Sequence, residues 1–231
     1  MICAQAVKKF YPSNKFKVEI APHEAGRIAT SWYLEGLAEA RIKGVRSRLL
    51  SYDTVVLLGA DCVLYSDIDS LLEMPGKIVL VPHVVTPPPQ SAPFYRTGHA
   101  NGDVICFRKE SLPIIDWLLT QPMRRDPKNG MFFEQSLLSS LPFFFDDVTI
   151  CKDVTINYAY YNFFERKLTR KRGRYFVNDR PLALCQFSGY IDGEPEKISK
   201  YYQCPRPDNA VVRFFKEYEE ALVAMKAAIS K

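Results

Sequence analysis

The segment Thr54–Tyr65, TVVLLGADCVLY, constrains the fold most. Thr54 to Leu58 is a continuous run of β-branched residues and leucine. A strand apolar on both sides belongs inside a sheet covered on both faces, as in mostly parallel α/β sheets. Gly59 stops the run and Asp61 follows almost at once. A carboxylate at the end of a buried strand must be solvated, paired or bound to a cation, because a lone buried charge is very costly. Two readings of Asp61 therefore stand. It caps a neighbouring helix or turn, or it holds a divalent ion that carries a diphosphate. Magnesium and manganese prefer hard oxygen donors and often use one or two protein carboxylates, with phosphates and water completing the shell.

The rest of the chain alternates helical and strand patterns. Ile2 to Phe10 reads as a helix broken by Pro12-Ser13-Asn14, and Lys15 to Ala21 alternates like a strand. From Thr30 to Leu50, Trp32, Leu34, Leu37, Ala38, Ile42, Val45 and Leu49 recur at helical spacing. Ile68 to Leu72 predicts a short helix, Lys77 to Pro82 a buried strand, and the proline-rich Pro82 to Tyr95 a loop. That loop is either an active-site border or a surface excursion. Asp103 to Phe107 predicts a third strand, Ser111–Leu119 and Phe133–Leu141 helices, and Val148–Cys151 a further strand. The last helix spans about Asn209 to Ser230, with Val211, Phe214, Phe215, Tyr218, Leu222, Met225 and Ile229 on the face that packs on the domain. This alternation predicts an α/β sheet with strands in the middle layer, where ligands collect at the carboxyl ends of strands. Asp61 and His83 fall at such ends. The Asn101-Gly102-Asp103 triplet precedes DVICF, so it joins them only if that strand runs antiparallel.

The length of 231 residues suits one domain spanning 1–231, large enough to bury its own core without disulfide or metal staples. Six cysteines lie far apart, mostly inside apolar runs, and no CxxC pair occurs. They read as reduced thiols of a cytoplasmic protein, not as zinc ligands. No secretory leader pattern and no apolar run long enough to span a bilayer is present. The net charge of +5 is mild, and nothing resembles a nucleic-acid-binding motif. The basic stretch Lys167–Arg174 (KLTRKRGR) reads as a solvated loop, with peripheral contact to anionic lipid or an anionic acceptor as the other option. His83 and His99 are read as structural, Asp67 and Asp69 as a helix start, and Phe143–Phe145 and Tyr158–Phe164 as mainly core. Neither GxGxxG, GxxxxGK[ST] nor GxSxG occurs, which argues against a Rossmann dehydrogenase, a P-loop kinase and an α/β-hydrolase.

Four segments in order carry a family resemblance: LLGADCVLYSDIDSLL, HANGDVICFRK, MFFEQSLLSSLPFFFDDVTICKDVTINYAYYNFFER and CQFSGYIDGEPEKISKY. The first resembles the strand and Asp-x-Asp-type segment of GT-A nucleotide-sugar glycosyltransferases, and the second their Asn-Ala-Gly-type strand opening. The third and fourth resemble the Asp-Gln to Asn-x-x-Glu-Arg series and the closing His-Phe-Ser-Gly-Tyr segment of a bacterial branch related to glycosyltransferase family 8. The resemblance spans roughly Glu35 to Tyr201 and implies a three-layer α/β/α GT-A fold with a mixed, mostly parallel central sheet. It also implies transfer of a hexose-type sugar from a nucleotide-diphosphate donor (UDP- or GDP-linked) to an acceptor it does not identify.

Carried over by residue, Asp61 holds Mn2+ or Mg2+ and touches the nucleotide. Asn101, Gly102 and Asp103 line the sugar pocket. Glu134 and Gln135 contact the sugar or activate the acceptor, and Asn157 and Asn162 orient polar groups around the acceptor. Gly189 lets the backbone approach the diphosphate, which Lys200 and Arg41 neutralise. Three departures qualify this set. Gly59 stands at the first acidic position of the Asp-x-Asp motif, and Gln186 stands where relatives have a metal-binding His. The base-binding first strand is not found near MICAQAVKKF and is expected upstream of residue 1. The alternatives are an inactive nucleotide-sugar-binding module, which the first two departures permit, and a sugar nucleotidyltransferase, which usually opens with a Gly-rich loop absent here.

Overall fold

The structure is a computed structural model that describes residues 9–11, 31–88, 98–129, 131–202 and 207–229. The strand predicted over Lys15–Ala21, nearly all of the helix predicted over Ile2–Phe10, and much of the Pro82–Tyr95 loop lie outside the described residues. In chain order the regular elements are α1 (Ser31–Leu49), β1 (Thr54–Leu58), β2 (Cys62–Leu64), α2 (Asp69–Leu72), β3 (Ile78–Pro82) and β4 (Ala100–Arg108). There follow α3 (Leu112–Thr120), β5 (Arg125–Asp126), β6 (Met131–Phe132), α4 (Phe133–Phe144) and β7 (Val148–Ile150). The hairpin strands β8 (Leu168–Lys171) and β9 (Arg174–Val177), then β10 (Arg180–Pro181), β11 (Leu184–Gln186) and α5 (Asn209–Ile229), complete the series.

Contacts divide the chain into two compact units. One comprises Ala21–Gly59 and Asp69–Asp153, the other Met1–Ile20, Ala60–Ile68 and Val154–Lys231. The first, hereafter the sheet unit, holds a four-stranded sheet in the order β1-β4-β3-β7. β4 is antiparallel to both β1 and β3, while β3 and β7 are parallel, so the sheet is mixed. Every residue of β3 is buried, as its apolar run predicts. Ala38, Ile42, Val45 and Leu49, spaced four, three and four apart, form the buried stripe of α1. They share a core with Ile114, Ile115 and Leu118 of α3, Leu138 and Leu141 of α4, and Ile78, Leu80, Ile105 and Phe107 of the sheet.

β4 begins three residues earlier than its apolar run predicts, so Asn101-Gly102-Asp103 lies inside the strand, not before it. The pairing explains this. Leu80 faces Ile105 but Pro82 faces Ala100, so two steps along β3 match five along β4. The surplus is a bulge, a device that re-aims side chains at functional edges. The Phe143–Phe145 block differs from expectation as well. Phe143 is 85% exposed and Phe144 64%, whereas Phe145 packs against the core. Leu138 and Leu141 form the buried stripe of α4, which Phe145 continues just past the helix end, and the two exposed rings fall off that stripe.

The second unit is built on a different core. Tyr158, Phe187, Phe214, Phe215 and Tyr218 are buried together, and the Phe187 and Tyr218 rings stack with centroids 3.6 Å apart. The predicted packing face of α5 is thus realised at Val211, Phe214, Phe215 and Tyr218. Short antiparallel pairs, β2–β11 and β8–β9–β10, complete the unit. The basic stretch Lys167–Arg174 is a hairpin instead of a loop, turning through Arg172 and Gly173 at positive φ, with its lysines and arginines exposed.

Candidate functional site

Because β4 runs against its neighbours, its amino-terminal end lies beside the carboxyl ends of β1 and β3. Leu58 pairs with Val104, the Gly59 amide donates to the Asp103 carbonyl at 2.8 Å, and the His83 amide donates to the His99 carbonyl at 2.9 Å. The condition set on Asn101-Gly102-Asp103 is therefore met. The Asn101 Oδ1 accepts the Asp103 amide at 2.6 Å, an Asx-type bond that holds the bulge.

Six of the expected site residues gather here. Arg41 of α1 donates from one guanidinium nitrogen to the Gly102 carbonyl at 2.5 Å and to Asp103 Oδ1 at 2.7 Å. Its other terminal nitrogen reaches Glu134 Oε1 at 3.5 Å. Glu134 and Gln135 open α4, which is fastened to the start of β4 by Ser139. The Ser139 hydroxyl accepts the Ala100 amide at 3.0 Å and donates to the Gln135 carbonyl at 2.6 Å. Gly102 permits this approach: a β-carbon there would collide with the Glu134 carboxylate and lie 3.0 Å from Gln135 Cγ. The resemblance implies that Arg41 neutralises a diphosphate, but its charge here faces two carboxylates of its own unit.

Burial pushes the Glu134 carboxyl above its ordinary value, opposed by the Arg41 charge. Among the described residues, Gln135 Oε1 is buried without a hydrogen-bond partner. Such an orphan acceptor is costly unless a ligand or water donor completes it. His83 is 7% exposed and burial lowers its imidazole to about 4, so it is neutral. Its Nδ1 lies 3.1 Å from the His99 carbonyl and, protonated there, donates to it.

The other unit holds the remaining expected residues. Asp61 lies just ahead of β2, and its carbonyl accepts the Phe187 amide at 2.9 Å. The Gln186 amide nitrogen is 3.4 Å from Asp61 Oδ1. Tyr161 links Gln186 to Asn157, with its hydroxyl 2.8 Å from Gln186 Oε1 and 2.8 Å from Asn157 Oδ1. The hydroxyl has one proton for these two acceptors, so the Gln186 amide has two workable orientations. In one its NH2 donates to Asp61. In the other Tyr161 donates to Asn157, and the Gln186 oxygen stands beside the Asp61 carboxylate. The second orientation offers two hard oxygens.

Among the described residues no group of three or more His, Cys, Asp or Glu side chains is placed to hold a metal ion. The hard donors that Asp61 and Gln186 could offer a cation are therefore one carboxylate and one amide oxygen.

Asn157, at φ 64°, is held from behind by the buried Arg166, whose guanidinium donates to the Ile156 and Asn157 carbonyls at 2.6 and 3.0 Å. Asn162 is used within the same loop, accepting the Ala159 amide at 3.0 Å and donating to the Asn157 carbonyl at 2.8 Å. Tyr161 and Arg166 were not singled out by the sequence, because one tyrosine in an aromatic run and one arginine in a charged pair carry no distinguishing pattern. Gly189, at φ 69°, packs where a β-carbon would come within 2.6 Å of Ser199 Oγ and Tyr201 Cδ2. Its carbonyl accepts the Lys200 amide at 2.8 Å, so these two expected residues are neighbours. Two residues before Lys200, Ile198 at φ 65°, ψ −63° centres a γ-turn closed by a 2.6 Å bond from the Ser199 amide to the Lys197 carbonyl. A β-branched residue there is strained, and such strain gathers at functional sites.

An α/β fold with a polar cluster at its strand ends is the ligand-binding class of architecture. The sequence matches no protein-family model and no curated protein. Among solved structures the chain is similar to a glycosyltransferase involved in the glycosylation of the major capsid of PBCV-1. The TM-score is 0.52 at 12% identity, covering 92% of this chain and 89% of that chain. The chain therefore has the fold of a glycosyltransferase. Among the described residues no helix is long and apolar enough to cross a membrane.

Proposed function

We propose that this protein is a glycosyltransferase that moves a hexose-type sugar from a UDP- or GDP-linked donor to an acceptor. The observation that carries the proposal is the gathering of Arg41, Asn101, Gly102, Asp103, Glu134 and Gln135 at the strand ends of a chain with a glycosyltransferase fold. In the sheet unit, the orphan Gln135 oxygen and the Asp103 carboxylate accept hydrogen bonds from sugar hydroxyls, and Asn101 keeps the bulge that presents them. Glu134, made more basic by burial, takes the proton of the acceptor hydroxyl as the acceptor oxygen bonds to the sugar carbon. That carbon's bond to the diphosphate oxygen breaks, and the nucleoside diphosphate leaves. In the second unit, Lys200 supplies positive charge to the leaving diphosphate. A Mn2+ or Mg2+ ion on Asp61 and Gln186 would supply Lewis-acid stabilisation of the same charge.

The test is donor hydrolysis by the purified protein, with UDP- and GDP-hexoses and added manganese. Turnover is expected, and Asp61→Ala lowers it by at least ~100-fold, the usual scale for losing one preorganised electrostatic group. Equal rates in the variant would remove Asp61 from the reaction. Gly59 and the amide beside Asp61 favour a second reading, an inactive nucleotide-sugar-binding module. Tight nucleotide binding without turnover would select it.

A further inference from the structure

Gly59 and Asp103 face each other across the β1–β4 pair, at the point where the Gly59 amide meets the Asp103 carbonyl. A β-carbon built on Gly59 would lie 2.7 Å from Asp103 Cβ, 2.8 Å from its Cγ and 3.0 Å from Oδ1. Carbon atoms in folded proteins do not pack that closely, because repulsion rises steeply inside the contact distance. Positions 59 and 103 therefore share one side-chain slot. In this chain a carboxylate reaching over from β4 fills it, and position 59 keeps only a hydrogen. Position 59 is also where the Asp-x-Asp segment has its first acid.

We propose that the carboxylate has changed strands: Asp103 delivers into this slot the acidic group otherwise delivered from position 59, and there accepts hydroxyls of the nucleotide-sugar donor. The proposal rests on the glycosyltransferase reading. Arg41 decides the chemistry of the transferred group. Its guanidinium sits 2.7 Å from Asp103 Oδ1, and the Asp103 side chain remains 30% exposed. A carboxylate already paired with a guanidinium competes poorly for a hard cation, yet it still accepts strong, charge-assisted hydrogen bonds. The slot therefore holds a hydroxyl acceptor whose affinity does not depend on manganese. Gly59 is the necessary counterpart, since any side chain there would evict Asp103.

The exchange is tested by reversing it. Four proteins, wild type, G59D, D103G and G59D/D103G, are titrated with UDP-glucose and with GDP-mannose by calorimetry, with and without manganese. Their melting temperatures are measured alongside, and D103N serves as a shape-preserving control. D103G and D103N are expected to weaken binding by ~10-fold or more, the scale of one hydrogen bond to a charged group, with the same factor with and without the metal. G59D alone lowers both melting temperature and affinity through the clash. The double variant melts above G59D and binds within a few-fold of wild type.

A folded double variant that binds no better than D103G overturns the exchange, as does a D103N protein that binds like wild type. If wild type binds neither probe, the glycosyltransferase reading fails instead. The shared slot is then judged by melting temperature alone, and a double variant no more stable than G59D overturns it.

Discussion

The two polar regions are built in opposite ways. Around Asp103, one guanidinium is shared among a carbonyl and two carboxylates, a bulge is closed by Asn101, and Gly102 admits Glu134 at a distance no side chain would allow. Around Asp61, an amide lies 3.4 Å from the carboxylate, and a tyrosine relays from that amide to Asn157. The first region is preorganised by its own charges and is part of what holds the sheet unit together. The second sets a half-buried carboxylate beside an amide able to turn. A half-buried group is removed at less cost to the fold than a buried one. The counterion of the buried Glu134 charge cannot be removed at so little cost, because the desolvation of that charge is offset chiefly by the Arg41 guanidinium.

Arg41→Ala probes this contrast hardest. It leaves Glu134 buried beside Asp103 without the opposing charge, and a loss of about 3 kcal/mol of stability is expected from breaking such a pair. Urea unfolding measures it, and a shift as small as that of a surface variant would show that the cluster is not structurally coupled. Asp61→Ala, at a half-buried position, is expected to shift the unfolding midpoint less than Arg41→Ala does.

The next effect is pH-dependent and comes from the edge of the same cluster. The His83 imidazole is lowered to about 4 by burial, so the unfolded chain binds its proton first as pH falls. Stability contributed by neutral His83 is therefore fully present above the unfolded value near 6.5 and is lost as pH drops toward 4. Between pH 7 and pH 5 the expected loss is about 2 kcal/mol, from the linkage of one proton. Unfolding curves of wild type and His83→Asn at the two pH values separate this contribution. An equal loss in both would assign the pH dependence elsewhere.

Lys200→Ala is the smallest change in stability, within about 0.5 kcal/mol, because its side chain is exposed. Nucleotide affinity is nonetheless expected to fall about 10-fold, the scale of one charge-assisted contact. Calorimetry with UDP-glucose checks it, and unaltered affinity would leave the diphosphate without its proposed cation.

Much of the fold was legible before the structure. The β3 run, the α1 stripe and the buried face of α5 were visible in the sequence, because burial selects apolar residues at fixed positions. By contrast β1, expected to be buried on both faces, forms as a strand but is only partly buried. The pairing of Arg41 with Glu134 was not, since 93 residues separate them and no local pattern records a contact over that distance. Phe143 and Phe144 misled for the converse reason: their composition spoke for a core, while their phase on α4 placed them outside it.

The sequence by itself determined the longer helices and the strands of the four-stranded sheet, though not the Lys167–Arg174 hairpin, and which polar residues stand near their ends. It did so because hydrophobic burial is written locally, in the residues that perform it. The tertiary structure decided the rest. It set the direction of β4, which carries Asn101, Gly102 and Asp103 to the ends of β1 and β3. It also set the bulge that aims them, and the slot that Gly59 yields to Asp103. Strand direction and close approach are fixed by partners distant along the chain, and only folding brings those partners together.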